Sequence, residues 1–162
     1  MDAIEIRAAT PADADAVADY HHRCFTRTYS SQLLAGEFEA PDLAGTRQQL
    51  HDWFLPDSEF DTRVAVVDGA PIGHFTVRGQ QLVHLFVEPD HQGTGLGRHL
   101  LAQAEAMIAA GGHTDFELHA RVDNLAAIAF YENAGWMVTD RLVHTVEHGV
   151  SYDEWVLIKH RV

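Results

Sequence analysis

Hydrophobic residues recur with two different periods along the 162-residue chain, and these periods separate predicted strands from predicted helices. Alternating or short apolar segments predict seven strands, at residues 4–7, 63–67, 72–77, 82–87, 116–120, 136–146 and 150–158. Apolar residues at helical spacing predict helices after Thr10 and at residues 42–54, 97–110 and 124–133. No repeat or linker interrupts the pattern, so we expect a single α/β domain over residues 1–162.

Short glycine-containing turns at residues 68–69, 78–79 and 148–149 join neighbouring predicted strands into an antiparallel meander and a closing hairpin. The first helix has a clear start, because Thr10 can cap it, Pro11 suits its first position and Asp13 places an acid in its first turn. Residues 30–41 carry the weakest pattern in the chain.

Three glycines separate the strand at 82–87 from the helix that follows it. Gly93, Gly95 and Gly97 can adopt positive φ angles and let an anion approach the main chain. The start of the next helix offers unpaired N–H groups and the positive end of its dipole, and Arg98 adds a cation. This junction predicts a cradle for a diphosphate.

Two other phosphate-binding loops do not fit these residues. A nucleoside triphosphate loop ends in Gly-Lys-Ser/Thr, but the only lysine of the chain is Lys159. A dinucleotide fingerprint that begins at Gly95 requires glycine where Leu100 stands, and one that begins at Gly93 requires glycine where Arg98 stands. The loop therefore belongs to neither class.

The glycine loop and a second segment resemble the GNAT superfamily of N-acetyltransferases. Gln92-x-x-Gly95-x-Gly97 followed by Arg98 resembles the loop that binds the acyl-CoA pyrophosphate in that family. Residues 124–136 resemble the second signature of the family, Asn-x-x-Ala-x-x-Phe/Leu-Tyr-Glu-x-x-Gly-Phe/Trp, at every named position. Together, in this order and at this separation, the two motifs are specific.

This resemblance implies a fold, a co-substrate and a set of binding residues. The fold is a mixed α/β (α+β) architecture with a mostly antiparallel sheet of about seven strands, flanked by helices and splayed between the fourth and fifth strands. Acetyl-CoA is the implied co-substrate. Its implied contacts are the strand edge Leu85, Phe86 and Val87, the loop residues Gln92, Gly93, Thr94, Gly95, Leu96, Gly97 and Arg98, and Asn124, Ala127 and Tyr131 on the later helix.

Acyl transfer to an amine requires one group to accept a proton and another to donate one. The amine, with a pKa of about 7.7 to 10.4, must be deprotonated before it attacks the thioester. By resemblance, the Tyr131 hydroxyl lies near the sulfur and protonates the departing thiolate. The glutamate that many relatives carry on the fourth strand is Gln81 here, so the base is open among His84, His119, Glu88 and a water relay, with the histidines ranked first.

Charge and composition exclude several other functions. A net charge of −13 argues against a nucleic-acid-binding surface and is compatible with a cationic small molecule or a peptide amine. Cys24 is the only cysteine and falls in an apolar helix pattern, which predicts a buried thiol rather than a nucleophile. The 12 histidines form no metal-binding motif, so we assign no metal.

The chain has no apolar run of about 18 residues and no signal-peptide pattern, so we expect a cytoplasmic protein without membrane association. Trp136 and Trp155 lie in the predicted closing hairpin, where related proteins often dimerise, and a homodimer is possible.

The sequence therefore predicts an N-acetyltransferase that moves an acetyl group directly from acetyl-CoA to the primary amine of a small molecule or peptide. The alternative is a degenerate member that binds acyl-CoA as a sensor or an interaction module, and the loss of glutamate at Gln81 keeps this alternative open.

Overall fold

The computed structural model describes residues 3–147 and 150–161. Within these ranges, the strands are β1 (Glu5–Ala8), β2 (Asp61–Val67), β3 (Ala70–Arg78), β4 (Gln81–Val87), β5 (Asp115–Arg121), β6 (Met137–Glu147) and β7 (Val150–His160). The helices are α1 (Ala14–Thr28), α2 (Ser30–Leu34), α3 (Leu43–Trp53), α4 (Leu96–Ala110) and α5 (Leu125–Asn133).

All seven strands form one sheet in the order β1-β2-β3-β4-β5-β7-β6. Every neighbouring pair is antiparallel except β4 and β5, which are parallel. The predicted mixed, mostly antiparallel sheet is confirmed. The closing hairpin is also antiparallel, and its second strand, β7, inserts between β5 and β6; its predicted turn at residues 148–149 lies outside the described residues.

Two apolar layers cover the two faces of the sheet. One layer packs α4 and α5 on the sheet and includes Leu100 and Ala65, both fully buried. The other packs α1 and α3 on the opposite face and includes Val17 and Val64, also fully buried. Ala65 and Val64 are neighbours on β2 that point to opposite faces, as strand geometry requires.

The local signals at helix ends hold with small shifts. Pro11–Asp13 forms a 3-10 turn directly before α1, as the Thr10 signal predicted. Asp42 caps α3 by accepting from the N–H groups of Ala44 and Gly45. Helix α4 begins at Leu96, one residue before the predicted start. The weakly patterned residues 30–41 contain only the five-residue α2.

The contact between β4 and β5 is very short. Only Gln81 with Glu117 and Leu82 with Leu118 are in register, after which the two strands part. The predicted splay between the fourth and fifth strands is confirmed. A register shift on the other side of β4 leaves Val83 without a partner on β3, because Thr76 pairs with His84 and Val77 with Leu82.

Strand β6 forms one edge of the sheet and carries exposed apolar side chains, among them Leu142 and Val146. Homodimerisation through the hairpin stays a prediction. No helix within residues 3–147 and 150–161 combines the length and hydrophobicity needed to cross a membrane.

An ion pair ties β1 to the start of α1 and gives a prediction for stability. Arg7 donates to both carboxylate oxygens of the buried Asp13 at 2.9 Å, and the Thr10 N–H donates at 2.8 Å. The hydrogen bonds from Arg7 hold the pKa of Asp13 below its usual value. We expect Asp13→Asn to lower the unfolding free energy by about 1–2 kcal/mol at pH 7 in urea titrations.

This difference depends on pH in a defined direction. Because the folded pKa of Asp13 lies below the unfolded value of about 3.9, its stabilisation is present above that pH and is lost as the pH falls through the folded pKa. The gap between Asp13→Asn and the parent protein should therefore narrow below about pH 4. Asp57→Asn, at an exposed position, is the control and should stay within about 0.5 kcal/mol of the parent. A gap that does not change with pH would contradict the ion-pair account.

Candidate active site

A cavity of about 650 Å³ opens where β4 and β5 part. Its walls come from β4 and β5, from α1 and α3 on one face of the sheet, from α5 on the other face, and from the β6–β7 hairpin. The cavity therefore connects the two faces through the gap in the sheet.

The edge of β4 presents main-chain groups to this gap. Glu88 N–H donates to the Ile72 carbonyl at 2.8 Å, and the next pair in register that bonds in the same way is Phe86 with His74. Because bonded and non-bonded pairs alternate in antiparallel strands, the peptide groups of Leu85 and Val87 face the gap instead of β3. An extended ligand could bond to the Leu85 groups and the Val87 N–H as an added strand, while the Val87 carbonyl already accepts from Gln92 at 3.0 Å.

The glycine loop has the geometry expected of an anion cradle. Gly93 and Gly95 have φ angles of +77° and +90°, and a Cβ at either position would meet nothing within 4 Å. Gly95 caps α4, and its carbonyl accepts the first helical bond from His99 at 3.1 Å. The N–H groups of the three residues before His99 therefore have no partner within the helix.

The structure corrects the prediction for Gly97. This glycine lies inside the first turn of α4 with a helical φ angle, so no positive φ requires it. A Cβ there would make ordinary contacts with Phe130 at 3.7 Å and Val87 at 3.8 Å.

The other loop side chains divide between the surface and the strand. Arg98 is exposed in the first turn of α4, where its cation can reach an anion at the helix start. Thr94 donates to the His91 carbonyl at 2.7 Å and closes the loop. Gln92 donates to the Val87 carbonyl at 3.0 Å, which ties the loop to the end of β4. Loop, strand edge and helix start together fit a diphosphate with an extended arm.

Helix α5 places Asn124, Ala127 and Tyr131 on the cavity wall. Asn124 caps the helix by accepting from the Ala127 N–H at 3.2 Å. Burial raises the pKa of Tyr131 above its usual value, so its hydroxyl keeps its proton at neutral pH. The three residues that the second motif selected thus face one cavity, and Tyr131 can act as a proton donor there.

His119 lies on β5, on the face of α1 and α3, and lines the cavity. Its Nε2 bonds to the Glu117 carboxylate at 2.9 Å, and Arg141 lies 3.6 Å from the other Glu117 oxygen. A carboxylate that accepts from Nε2 leaves Nδ1 as the acceptor nitrogen of a neutral ring. Glu117 is also the register partner of Gln81, so its carboxylate stands beside Gln81.

His84 lines the same cavity from β4. The unpaired Val83 allows His84 to face α1 and α3, where its ring lies 5.3 Å from that of His21 and 4.8 Å from that of Trp53. Burial lowers the pKa of His84 to about 4, which differs from the ordinary value near 6.5 on which its ranking as a base rested.

Glu88 is not among the described residues that line the cavity. Its carboxylate accepts from the Asp90 N–H at 2.9 Å and bonds to His91 at 3.0 Å, while Arg23 lies 3.4 Å away. Although burial acts in the opposite direction, hydrogen bonds from His91, the Asp90 amide and Arg23 lower the pKa of Glu88. These contacts indicate a structural role in the turn after β4.

Cys24 is a buried thiol, as predicted. It is 7% exposed, and its Sγ lies 3.2 Å from the Val87 carbonyl. Burial raises its pKa to about 11, so the thiolate is scarce at neutral pH. Within the described ranges, no three His, Cys, Asp or Glu side chains cluster closely enough to hold a metal ion.

The sequence did not single out Arg121, which lies deep in the cavity wall. Its guanidinium lies 4.1 Å from the Tyr29 ring centre and 4.7 Å from that of Tyr152, with Phe25 and Phe38 also within 6 Å. Two of its nitrogens bond to Asp123 at 3.2 Å. These aromatic residues come from distant parts of the chain, so no local pattern reveals the group.

Tyr20, His74 and Glu117 were also missed. Glu117 shares a strand face with His119 at the two-residue spacing of β5, and this alternation was a usable signal. Tyr20 and His74 are 54 residues apart, and only the packing of α1 on β3 brings them together.

Comparisons with known proteins agree with this geometry. The acetyltransferase (GNAT) family model matches residues 15–136. The aminoglycoside N(6')-acetyltransferase type 1 of Stenotrophomonas maltophilia is 31% identical over 153 residues, 86% of this chain and 90% of that protein. The peptidyl-lysine N-acetyltransferase YjaB of Escherichia coli is 32% identical over 88 residues, and the mycothiol acetyltransferase of Nocardiopsis dassonvillei is 29% identical over 132 residues.

The coverage of these relatives differs. The matched regions span 54% of this chain and 56% of YjaB, and 70% of this chain and 37% of the mycothiol enzyme. The PaiA N-acetyltransferase of Thermoplasma acidophilum, solved with coenzyme A, has the same fold, with a TM-score of 0.76 at 19% identity over 98% of this chain and 99% of that chain. YncA of Salmonella typhimurium, solved with its cofactor acetyl-CoA, gives 0.67 at 20% identity over 98% and 94%.

These findings support acetyl-CoA as the co-substrate and confirm the family and the fold that the two motifs predicted. In this chain, β4 and β5 part, a glycine cradle precedes α4, and α5 carries Tyr131. The chain belongs to the acetyltransferase (GNAT) family.

Proposed function

We propose that this protein transfers an acetyl group from acetyl-CoA directly to a primary amine within a ternary complex. The observation that carries the proposal is the single cavity that contains Tyr131, His119 and the open edge of β4. A proton donor and a proton acceptor thus face the same space, next to main-chain groups that suit an extended arm. No covalent enzyme intermediate is required if acetyl-CoA and the amine enter this cavity from opposite faces of the sheet.

The acyl-CoA side of the cavity is the face of α4 and α5. We assign the diphosphate to the N–H groups of the loop and helix start, from Gly93 to Arg98, with Gln92 bracing the loop on Val87. The arm follows the peptide groups of Leu85 and Val87 and passes Asn124 and Ala127 on the way to Tyr131.

The amine side is the face of α1 and α3. Its wall contains Phe25 from α1, Tyr29 directly after α1, Trp53 from α3 and Phe60 before β2. From the weakly patterned residues 30–41, only Pro41 reaches this wall. The names of the relatives include aminoglycoside and peptidyl-lysine acetyltransferases, which supports an amine on a small molecule or a peptide.

His119 is the base that we favour. With Glu117 accepting from Nε2, its Nδ1 can take the proton of the attacking amine, and the carboxylate orients the ring. His84 is less suited, because burial lowers its pKa to about 4, and Glu88 faces its own turn. Glu117, the register partner of Gln81, supplies a carboxylate next to that end of β4, so the glutamine at position 81 does not leave this part of the site without one.

The direct test measures CoA release from acetyl-CoA with a panel of primary amines that includes aminoglycosides and lysine peptides. We expect turnover with at least one amine class and none with the matching tertiary amines. Tight acetyl-CoA binding in calorimetry without turnover on any amine would instead favour the acyl-CoA sensor, which the glutamine at Gln81 keeps as the second candidate.

The cradle gives a prediction with a matched control on the same helix. Gly95 and Gly112 flank α4 with φ angles of +90° and +92°, and a Cβ at either would meet nothing within 4 Å. A valine at either position strains the backbone similarly, but only at Gly95 does the side chain enter the space assigned to the diphosphate. We expect Gly95→Val to weaken CoA binding in calorimetry by well over tenfold. Equal CoA affinity in the Gly95→Val and Gly112→Val variants would remove the diphosphate from this loop.

Tyr131 gives a prediction that separates catalysis from binding. If its hydroxyl protonates the departing thiolate, Tyr131→Phe should lower kcat on the order of 10²-fold. The dissociation constant of acetyl-CoA should change little, because the ring keeps its packing against Phe130 and Trp136. Wild-type turnover in Tyr131→Phe, measured where chemistry limits the rate, would return Tyr131 to a packing role.

His119 gives a prediction for the dependence on pH. The value of kcat/KM should rise with pH through one limb, and His119→Ala should remove that limb and lower kcat/KM on the order of 10²-fold. The control is His160→Ala, which removes a second histidine–carboxylate pair on this sheet, with Asp115, at a position that does not line the cavity. Two amines of different pKa must be compared, since a limb that follows the amine argues against His119.

A further inference from the structure

Two buried side chains and one half-buried side chain form a line that ends in the cavity. The Tyr20 hydroxyl of α1 bonds to Nδ1 of His74 on β3, and Nε2 of His74 lies 3.5 Å from Nδ1 of His84 on β4. Tyr20 and His74 are 1% and 0% exposed. His84, the third member, is the only one of the three that lines the cavity. None of these contacts belongs to the proposed acyl-CoA or proton-transfer groups.

The Tyr20 hydroxyl, at the end of the line away from the cavity, sets the direction of the hydrogen bonds along it. In the described part of the chain, Nδ1 of His74 is the one hydrogen-bond partner of the Tyr20 hydroxyl, so the O–H donates to it. A ring nitrogen that accepts carries no hydrogen, and the hydrogen of neutral His74 is therefore on Nε2. From there it points to Nδ1 of His84. His84 in turn carries its own hydrogen on Nε2.

The opposite direction is unfavourable. If Nδ1 of His84 donated to His74, Nδ1 of His74 would have to donate to the Tyr20 oxygen. The Tyr20 O–H would then be a buried donor without an acceptor among the described residues, and such donors are rare because they are costly. The Tyr20 hydroxyl thus selects the tautomer of His84, at the cavity end of the line.

We propose that Tyr20 and His74 hold His84 as a hydrogen-bond donor whose Nε2–H binds the carbonyl oxygen of the acetyl thioester in the cavity. This inference rests on the proposed acetyl transfer and adds to it a role for His84 opposite to that of a base. His84 is a catalytic residue in this assignment, and Tyr20 and His74 are positioning residues that act through it.

The donor serves the atom whose charge changes most. As the amine nitrogen forms its bond to the carbonyl carbon, the C=O electron pair moves to oxygen, which becomes negative and accepts more strongly from Nε2–H. When the C–S bond breaks, that pair returns, and the sulfur leaves with its electrons and takes the proton of Tyr131. The amine proton goes to Nδ1 of His119. After the reaction, His119 loses one proton to solvent and Tyr131 gains one from solvent, which restores both side chains. The net products are the amide and free CoA.

The surroundings of His84 keep it neutral for this purpose. The aromatic rings around that of His84 belong to His21 of α1, Trp53 of α3, His74 of β3 and Phe86 of β4. Burial lowers the pKa of His84 to about 4 and that of His74 well below its usual value. A neutral imidazole with a lowered pKa can polarise a carbonyl without losing its proton.

The tautomer can be measured without any substrate. In ¹⁵N-histidine-labelled protein, two-bond ¹H–¹⁵N correlation spectra distinguish protonated from unprotonated ring nitrogens, and His84→Gln and His74→Gln identify the two residues among the 12 histidines. We expect Nε2 of His84 to be protonated at pH 7. We expect Tyr20→Phe to convert His84 to a mixture of tautomers, because His74 then loses the hydroxyl that orients it.

The control is Tyr29→Phe. Tyr29 is a second buried tyrosine, at 4% exposure, directly after α1, and its ring packs against Phe25 and Phe38 rather than against His74. Its loss should leave the His84 tautomer unchanged. A structural role alone for Tyr20 would lower the melting temperature in Tyr20→Phe and leave the spectrum of His84 as it is, and this result would overturn the proposal.

Kinetics with an acceptor amine provides the second readout. His84→Ala should lower kcat on the order of 10²-fold, the loss typical of one oxyanion donor. His84→Gln keeps an N–H donor and should recover part of that loss, with the pH limb of kcat/KM still present. Protonation of His84 on Nδ1 in the free protein, or loss of the pH limb in His84→Gln, would overturn the assignment. The spectrum decides the tautomer of His84, on which the donor role depends, even if no acceptor amine turns over.

Discussion

The two-residue contact between β4 and β5 is the constraint on which the site depends. If the strands stayed paired, their N–H and C=O groups would satisfy one another and the sheet would be closed. Because pairing stops after Leu82 and Leu118, the peptide groups of Leu85 and Val87 face an open gap. The same gap lets side chains from both faces of the sheet meet in one cavity. An interrupted sheet thus creates both a docking edge and a reaction chamber.

Neighbouring groups, more than residue type, decide the chemistry in this chamber. His119 has a carboxylate beside one ring nitrogen, which leaves the other nitrogen able to accept a proton. His84 has a buried histidine and a tyrosine behind it and is packed among aromatic rings, which favours the neutral form with an N–H toward the cavity. Two identical side chains some distance apart in sequence are thereby suited to opposite tasks, as pairs of titratable groups in active sites often are.

Helix α4 links the binding loop to the core. Leu100 and Ile108 anchor the helix on the sheet, and Glu105 accepts from Trp136, directly before β6, at 2.9 Å and from Lys159 of β7 at 3.0 Å. The start of the helix can therefore hold its unpaired N–H groups in one place before any ligand arrives. Pre-organised dipoles of this kind bind anions without a further cost of ordering the loop.

The sequence by itself determined the order of elements, the cradle and the residues of α5. Each depends on short-range signals, such as positive-φ glycines before a helix or Asn124 at a helix start, and these act over a few residues. Only the tertiary structure decided which histidine suits which role. Packing under α1 and α3 lowers the pKa of His84. The direction of its hydrogen bond depends on Tyr20, which comes from a distant helix, and the unpaired Val83 turns the His84 side chain to this face of the sheet. Such effects arise from packing between distant segments, which no local pattern encodes.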